Sequence, residues 1–246
     1  MISFIICALN EEDNISDTVN SIYKALKRNI DITTYQIIIV DDGSTDNTFN
    51  ISKKLQSYDK NIKICKNTKN LGYGESLKKG LREVIYEKFM VIPGDNDLTD
   101  LTIFSGLKKI NSADMIMIFP INIENRSKIR NLVSITFKMI YLIFFDCYVN
   151  YINSPSIYPT KIVKMFNLKS KRFSIISEIT TKLLHSDITY VEVPTIFKQS
   201  LRIRKTITLK NLIEVITSFL TILLEIKFIS RKNFNTKAKR NYTITE

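Results

Sequence analysis

The chain has 246 residues, 44% of them hydrophobic, with three cysteines, no tryptophan and a formal net charge of +12 at pH 7. That length suits one large domain or two small ones with a substantial core. Cys7, Cys65 and Cys147 are too few and too scattered for a disulfide framework or a cysteine metal cluster, which favours a reducing compartment. The basic surplus suits nucleic acid, an anionic membrane surface or a phosphorylated substrate, or simply lysines scattered over a solvated surface.

The opening MISFIICALNEE has a short apolar run with no basic residues before it, so it reads as a first strand, Ile2–Ala8, and not as a signal peptide. Asn14–Leu26 places Ile15, Val19, Ile22, Tyr23 and Leu26 at helical spacing. Strand Gln36–Val40, helix Asp46–Tyr58 (capped by Asp46 or Ser44), strand Ile62–Lys66, helix Gly74–Ile85, strand Phe89–Ile92, helix Leu101–Ile110 and strand Met115–Phe119 follow. This βαβα order implies a doubly wound parallel sheet with its ligands at the carboxyl ends of the strands.

The second half is expected to hold an apolar helix over Asn131–Phe145, short helices at Ile162–Phe166 and Ile175–His185, and a strand Thr189–Val193 closed by Pro194. A basic loop, Lys198–Lys205, then leads to a long helix, Thr208–Phe228. That last helix is almost apolar enough for a membrane span, but Lys210, Glu214, Thr217, Thr221 and Glu225 share a stripe, which argues for an amphipathic helix lying on a surface. The surface is a membrane, the protein's own sheet or a second subunit. The tail beyond Ser230 is polar, basic and expected to fray. His185, the sole histidine, reads as a surface residue.

Four polar clusters fall at successive strand ends: CALNEE (Cys7–Glu12), DDGSTD (Asp41–Asp46), NLGYGESLKKG (Asn70–Gly80) and GDND (Gly94–Asp97). No GK[ST] follows the glycines and no GxGxxG is present, which disfavours a P-loop or a dinucleotide fold. Asp95 and Asp97 bracket Asn96 at a spacing that lets two carboxylates approach one Mg²⁺ or Mn²⁺ shared with substrate phosphates. Arg126 and Arg130, four apart, can share one helical face, and a guanidinium fork suits a phosphate.

On ALNEEDNI, VDDGSTDNT, the N-x-G of NLGYGESLKKGL and the Asp-x-Asp of GDND, the chain resembles a family 2 glycosyltransferase with a GT-A fold. Over roughly residues 1–200 it is similar to the dolichyl- or polyprenyl-phosphate sugar synthases and their bacterial relatives in surface-polysaccharide pathways. The resemblance implies a GT-A domain over 1–200, with 201–246 as a basic loop, an amphipathic helix and a polar tail. It implies an inverting, metal-dependent transfer from a nucleotide-sugar to a polyprenyl phosphate, by a cytoplasmic protein peripheral at the membrane face, with no nucleic-acid partner and a possible homo-oligomer.

In this resemblance Cys7, Leu9 and Glu11 surround the base and ribose, and Asp41 or Asp42 accepts a base N–H. Asn70 and Gly72 approach the nucleotide, and Asn96 lies between the metal ligands Asp95 and Asp97. Arg126, Arg130 and Ser134 grip the acceptor phosphate, and Glu178 stands where relatives carry an acidic residue near the acceptor. With a hydroxyl acceptor on a growing glycan, the alternative reading, Glu178 is the candidate base; with an ionised phosphate no base is required. An inactive relative serving as a binding subunit is a further alternative.

Two departures stand out. Ser200 falls near the place of the arginine expected after EVP (Glu192–Pro194), leaving Arg202, Arg204 and Lys205 as either substitute phosphate ligands or part of a surface anchor. Thr99 stands where many synthases carry glutamine.

Overall fold

The computed structural model describes residues 1–29, 31–122, 128–197 and 209–241, with backbone alone at 128–130, 133 and 209–212. The first half alternates strands and helices: β1 (Ile2–Ala8), α1 (Ile15–Arg28), β2 (Tyr35–Asp41), α2 (Thr48–Tyr58), β3 (Ile62–Lys66), α3 (Tyr73–Arg82), β4 (Lys88–Pro93), α4 (Asp100–Lys108) and β5 (Met115–Pro120). Then come α5 (Lys128–Phe145), β6 (Ile157–Pro159), α6 (Thr160–Met165), α7 (Ser174–Leu184), β7 (Thr189–Thr195) and α8 (Leu209–Leu224). A π-helical turn (Glu225–Ile229), a 3₁₀ turn (Arg231–Phe234) and β8 (Lys239–Arg240) complete the described chain.

The eight strands form one sheet in the order β3-β2-β1-β4-β6-β5-β7-β8. Only β6, among the described strands, runs antiparallel to its neighbours β4 and β5. Both faces of the sheet are covered, so its strands are apolar on both sides and not alternating. Phe4, Ile6, Ile37 and Ile39 pack under Ile15, Val19 and Ile22 of α1 and Ile103 and Leu107 of α4. Ile5, Cys7, Ile38 and Val40 face Leu77 and Leu81 of α3 and Ile175, Ile179 and Leu183 of α7. Each such aliphatic side chain stabilises the fold by about 1.5–3 kcal/mol on burial.

The doubly wound, mostly parallel sheet agrees with the expectation, and its first five strands lie where the spacing predicts them. β6 and β8 are additions: three and two residues carry too little periodicity to be read. The tail does not fray after Ser230. Up to Asn241 it joins the sheet, with Lys239 N and Asn241 N donating to Ile188 O and Tyr190 O (both 2.8 Å) and Arg240 paired with the enclosed Glu192 at 3.1 Å.

The last helix also departs from expectation. Its glutamates turn inward: Glu214 accepts from Ser174 Oγ of α7 (2.8 Å), and Glu225 is buried against Lys182. Ile216, Leu220 and Leu224 are exposed instead. The inversion arises because α7 offers a hydroxyl and a buried ammonium, which only the polar stripe can satisfy. His185 is corrected too. It is buried, Nδ1 lies 2.9 Å from Thr181 O, and burial pushes its imidazole below the ordinary range.

Candidate functional site

β1 sits where the connections reverse, with β2 on one side and β4 on the other, which opens a crevice at the carboxyl ends of these strands. The register aligns Ala8 with Asp41 and Cys7 with Pro93. Asp42 N donates to Ala8 O (2.8 Å) and Gly94 N to Cys7 O (3.1 Å), so three of the polar clusters leave the sheet side by side. The loops after β1 and β2 are laced together: Thr45 N donates to Asn10 Oδ1 (2.9 Å), and Glu11 N to Thr48 Oγ1 (2.8 Å).

The adjacent aspartates do different things. Asp42 is saturated: Oδ1 accepts from Asn67 Nδ2 (2.8 Å) and Leu71 N (2.9 Å), and Oδ2 from Gly72 N (2.9 Å). It is the anchor of the Asn67–Gly72 loop. Asp41 is fully buried, and its Oδ1 accepts from Ser44 N (3.0 Å), yet its Oδ2 has no partner. An enclosed carboxylate oxygen without a donor is costly, so of the two residues Asp41 is the one with an acceptor oxygen left over. Gly43 between them and the loop is obligatory: its φ is 76°, and a Cβ would sit 2.5 Å from the Lys69 carbonyl carbon.

The other expected residues are distributed unevenly. Cys7 is buried beneath the crevice, its thiol raised by burial and by Asp42 and therefore protonated. Leu9 and Asn70 are exposed at the rim, and Glu11 is half-buried and accepts from Asn14 Nδ2 at 2.6 Å. Asp95 and Asp97 are half-buried on the turn after β4, with Asp97 N donating to Asp95 Oδ1 at 3.0 Å. Asn96 leaves the site: at φ 56° its carboxamide oxygen accepts from Ser21 Oγ of α1 at 3.1 Å.

No group of three or more His, Cys, Asp or Glu among the described residues forms a closed metal cage. Two carboxylates on an open turn fit a Mg²⁺- or Mn²⁺-type ion, which keeps positions for water and phosphate oxygens.

Glu178 does not fit the role of a base. It is enclosed on α7, accepts from Lys169 N (3.0 Å) and Ser170 N (2.8 Å), and pairs with the buried Lys182 at 2.9 Å. Burial favours its neutral form, but Lys182 and the two amides outweigh that and hold its carboxyl below the ordinary value. Ser134 lies half-buried on α5. Arg126, Arg202 and Arg204 lie outside the described residues, and Arg130 is described by its backbone alone.

Tyr73, not anticipated, opens α3 directly beside Gly72 of the candidate site. It stacks on Phe173 with ring centroids 5.4 Å apart, and burial, with Cys7, Tyr158 and Asp95, raises its phenol well above the ordinary value. Its position directly after Gly72 was the available signal.

Residues 3–147 match the family model described as Glycosyl transferase family 2. An uncharacterised glycosyltransferase of Haemophilus influenzae is 38% identical over 81 residues, 33% of this chain and 24% of that protein. A dolichol-phosphate mannosyltransferase of Pyrococcus furiosus is 30% identical over 94 residues, 38% of this chain and 25% of that protein. The matched stretches thus span only about a quarter of these relatives.

Two solved structures share the fold. Staphylococcus aureus TarS 1–349 with UDP has a TM-score of 0.63 at 17% identity, over 94% of this chain and 68% of that one. Mycobacterium tuberculosis glucosyl-3-phosphoglycerate synthase, in complex with Mn²⁺, UDP-glucose and phosphoglyceric acid, has 0.62 at 15% identity, over 91% and 79%. The architecture is that of the GT-A glycosyltransferases.

Proposed function

The chain belongs to glycosyl transferase family 2, and from that premise we propose that it moves a sugar from a nucleotide-sugar to a polyprenyl phosphate at a membrane surface. The observation that carries the donor half is the unpartnered, enclosed Oδ2 of Asp41 at the end of β2. We assign the missing donor to a ring N–H, which uracil, thymine and guanine carry and neutral adenine and cytosine lack, reached when the loop after β2 shifts to admit the base, since Oδ2 is enclosed in the ligand-free fold. Cys7, Leu9 and Glu11 are the proposed surroundings of the base and ribose, and the loop carrying Asn70 and Gly72 is the proposed approach to the nucleotide. Asp95 and Asp97 would hold the divalent cation, which stabilises negative charge on the departing diphosphate.

Support for the acceptor half is of two kinds. Transfer to a phosphate needs no proton removed, because an oxygen already ionised at neutral pH attacks the anomeric carbon as the diphosphate oxygen leaves from the opposite face. That chemistry fits a site whose expected base, Glu178, is committed to Lys182.

The second support is apolar surface. Ile135, Met139 and Ile143 of α5 and Ile216, Leu220 and Leu224 of α8 are about half to three-quarters exposed, and Phe144 of α5 meets Phe219 of α8 at 5.4 Å. Such a surface is unusual for a protein surrounded by water. No helix among the described residues is long and apolar enough to cross a membrane, so the face would lie on the bilayer, where basic residues such as Lys138 and Lys227 suit anionic headgroups. Arg126, Arg130, Ser134, Arg202 and Arg204 are the proposed phosphate ligands.

The test is transfer of radiolabelled sugar from a panel of UDP-, GDP- and dTDP-sugars into organic-extractable undecaprenyl phosphate, with and without Mn²⁺. Metal-dependent label in the organic phase is the expected result. Label appearing only on a water-soluble hydroxyl acceptor would refute the lipid acceptor.

A further inference from the structure

Glu178, Lys182 and Glu225 lie outside the segment that matches the family and form an enclosed charge cluster, to which Lys169 adds a partly exposed fourth charge. The Lys182 ammonium is fully buried and meets Glu178 Oε1 at 2.9 Å, Glu225 Oε1 at 2.9 Å and Asn167 O at 2.8 Å. Lys169 Nζ reaches the other oxygen of Glu225 at 2.9 Å. Two cations balance two anions. Buried pairs of this kind contribute little net stability compared with apolar residues of the same volume, so what they position matters more than what they stabilise.

They position the segment Lys169–Phe173. Glu178 holds the amides of Lys169 and Ser170, and the next carbonyl, Lys171 O, accepts from Gly74 N (3.0 Å) and Glu75 N (3.4 Å) at the start of α3. The fit is too close for a side chain: at Gly72, φ 102°, a Cβ would sit 2.7 Å from Lys171 O. Beside it, Phe173 stacks on Tyr73 with ring centroids 5.4 Å apart and planes 21° apart. The Leu71–Gly74 loop is therefore gripped from two directions. Asp42 holds Leu71 N and Gly72 N from the sheet, and Lys171 holds Gly74 N from the side. The second grip leads back through the charge cluster to Glu225, the first residue of the π-helical turn that ends α8.

We propose that Glu225, Lys182 and Glu178 are positioning residues for the donor: a charged strut through which the C-terminal helix sets the conformation of the Leu71–Gly74 loop. The proposal deepens the donor-site reading given above, and its test has one arm that needs no nucleotide.

That arm is amide hydrogen exchange on the ligand-free protein, comparing wild type with Glu225→Gln and with Lys169→Gln, a milder cut at a partly exposed residue. Lys237→Gln, which breaks the exposed pair with Asp146 at 3.0 Å, is the control. Exchange at Leu71, Gly72 and Gly74 is expected to rise at least tenfold in both strut variants, with the β1–β2 ladder unchanged and the control like wild type.

The second arm is titration with UDP and Mn²⁺, where the strut variants bind at least fivefold more weakly and the control does not. Faster exchange confined to α8, or a uniform rise along the chain, would overturn the proposal, since the cluster would then only dock a helix or support the fold. Wild-type protein that does not bind UDP would count against the donor reading and leave the exchange arm to decide the strut.

Discussion

Asp41→Asn and Asp42→Asn are isosteric changes at neighbouring residues, and the structure assigns them opposite consequences. In Asp41→Asn the amide oxygen keeps the bond from Ser44 N, and the NH₂ replaces an oxygen that has no partner. The enclosed site exchanges an unpartnered oxygen for an unpartnered NH₂ while no existing hydrogen bond is lost, so the melting temperature should change less than in Asp42→Asn. A bound base, however, loses an ionic acceptor. A hydrogen bond to a charged group contributes about 1.5–3 kcal/mol, and 1.4 kcal/mol is tenfold, so nucleotide affinity should fall about 10- to 150-fold.

In Asp42→Asn all three donors remain, and one now meets an NH₂. An unsatisfied donor costs about 1–3 kcal/mol, so the protein itself should melt several degrees lower. Calorimetric titration with UDP and Mn²⁺, alongside thermal melting, reads both quantities. Unchanged affinity in Asp41→Asn, or a melting loss as large as that of Asp42→Asn, would refute the assignment of Asp41 to the base.

Asp97→Ala should abolish metal-dependent sugar transfer with the melting temperature retained; full residual turnover in Mn²⁺ would remove that residue from the metal site. Because the chain has no tryptophan, Ile143→Trp and Leu220→Trp report on the apolar face. Their emission should shift to the blue on adding anionic vesicles, whereas Tyr58→Trp, on α2, should not move; a concentration-dependent shift without lipid would point to a second copy of the chain. His185, the sole histidine, should titrate by NMR below about 6.5, since burial disfavours its charged form. Both His185 and Glu178 are depressed in the folded state, so each contributes stability above its unfolded value that is lost as pH falls through the folded one. Denaturant midpoints should therefore drop below about pH 6.5 and again below about pH 4.3, and a midpoint that rises on acidification would contradict both.

Much of the fold was legible because the first half is built from local signals. Apolar runs such as Ile37–Val40 alternate with helical spacing at Ile15, Val19, Ile22 and Leu26, and every polar cluster follows a strand, so βαβ connectivity alone sends them to one edge of the sheet. The second half is less regular. β6 and β8 are too short to show a period, and their pairing depends on strands distant in sequence.

What the chain determined by itself was the order of elements through β5 and the residue types at the strand ends. Which carboxylates are available was decided only by tertiary structure. Asp41 and Asp42 are equivalent as letters; they part because Asn67, Leu71 and Gly72 fold back onto one and leave an oxygen of the other without a donor. Glu225 reads as part of a solvated stripe until α8 docks on α7 and presents it to Lys182 and Lys169. The physical reason is the same in each case. The state of a buried charge depends on donors brought to it by distant parts of the chain, and no local pattern encodes where those donors arrive.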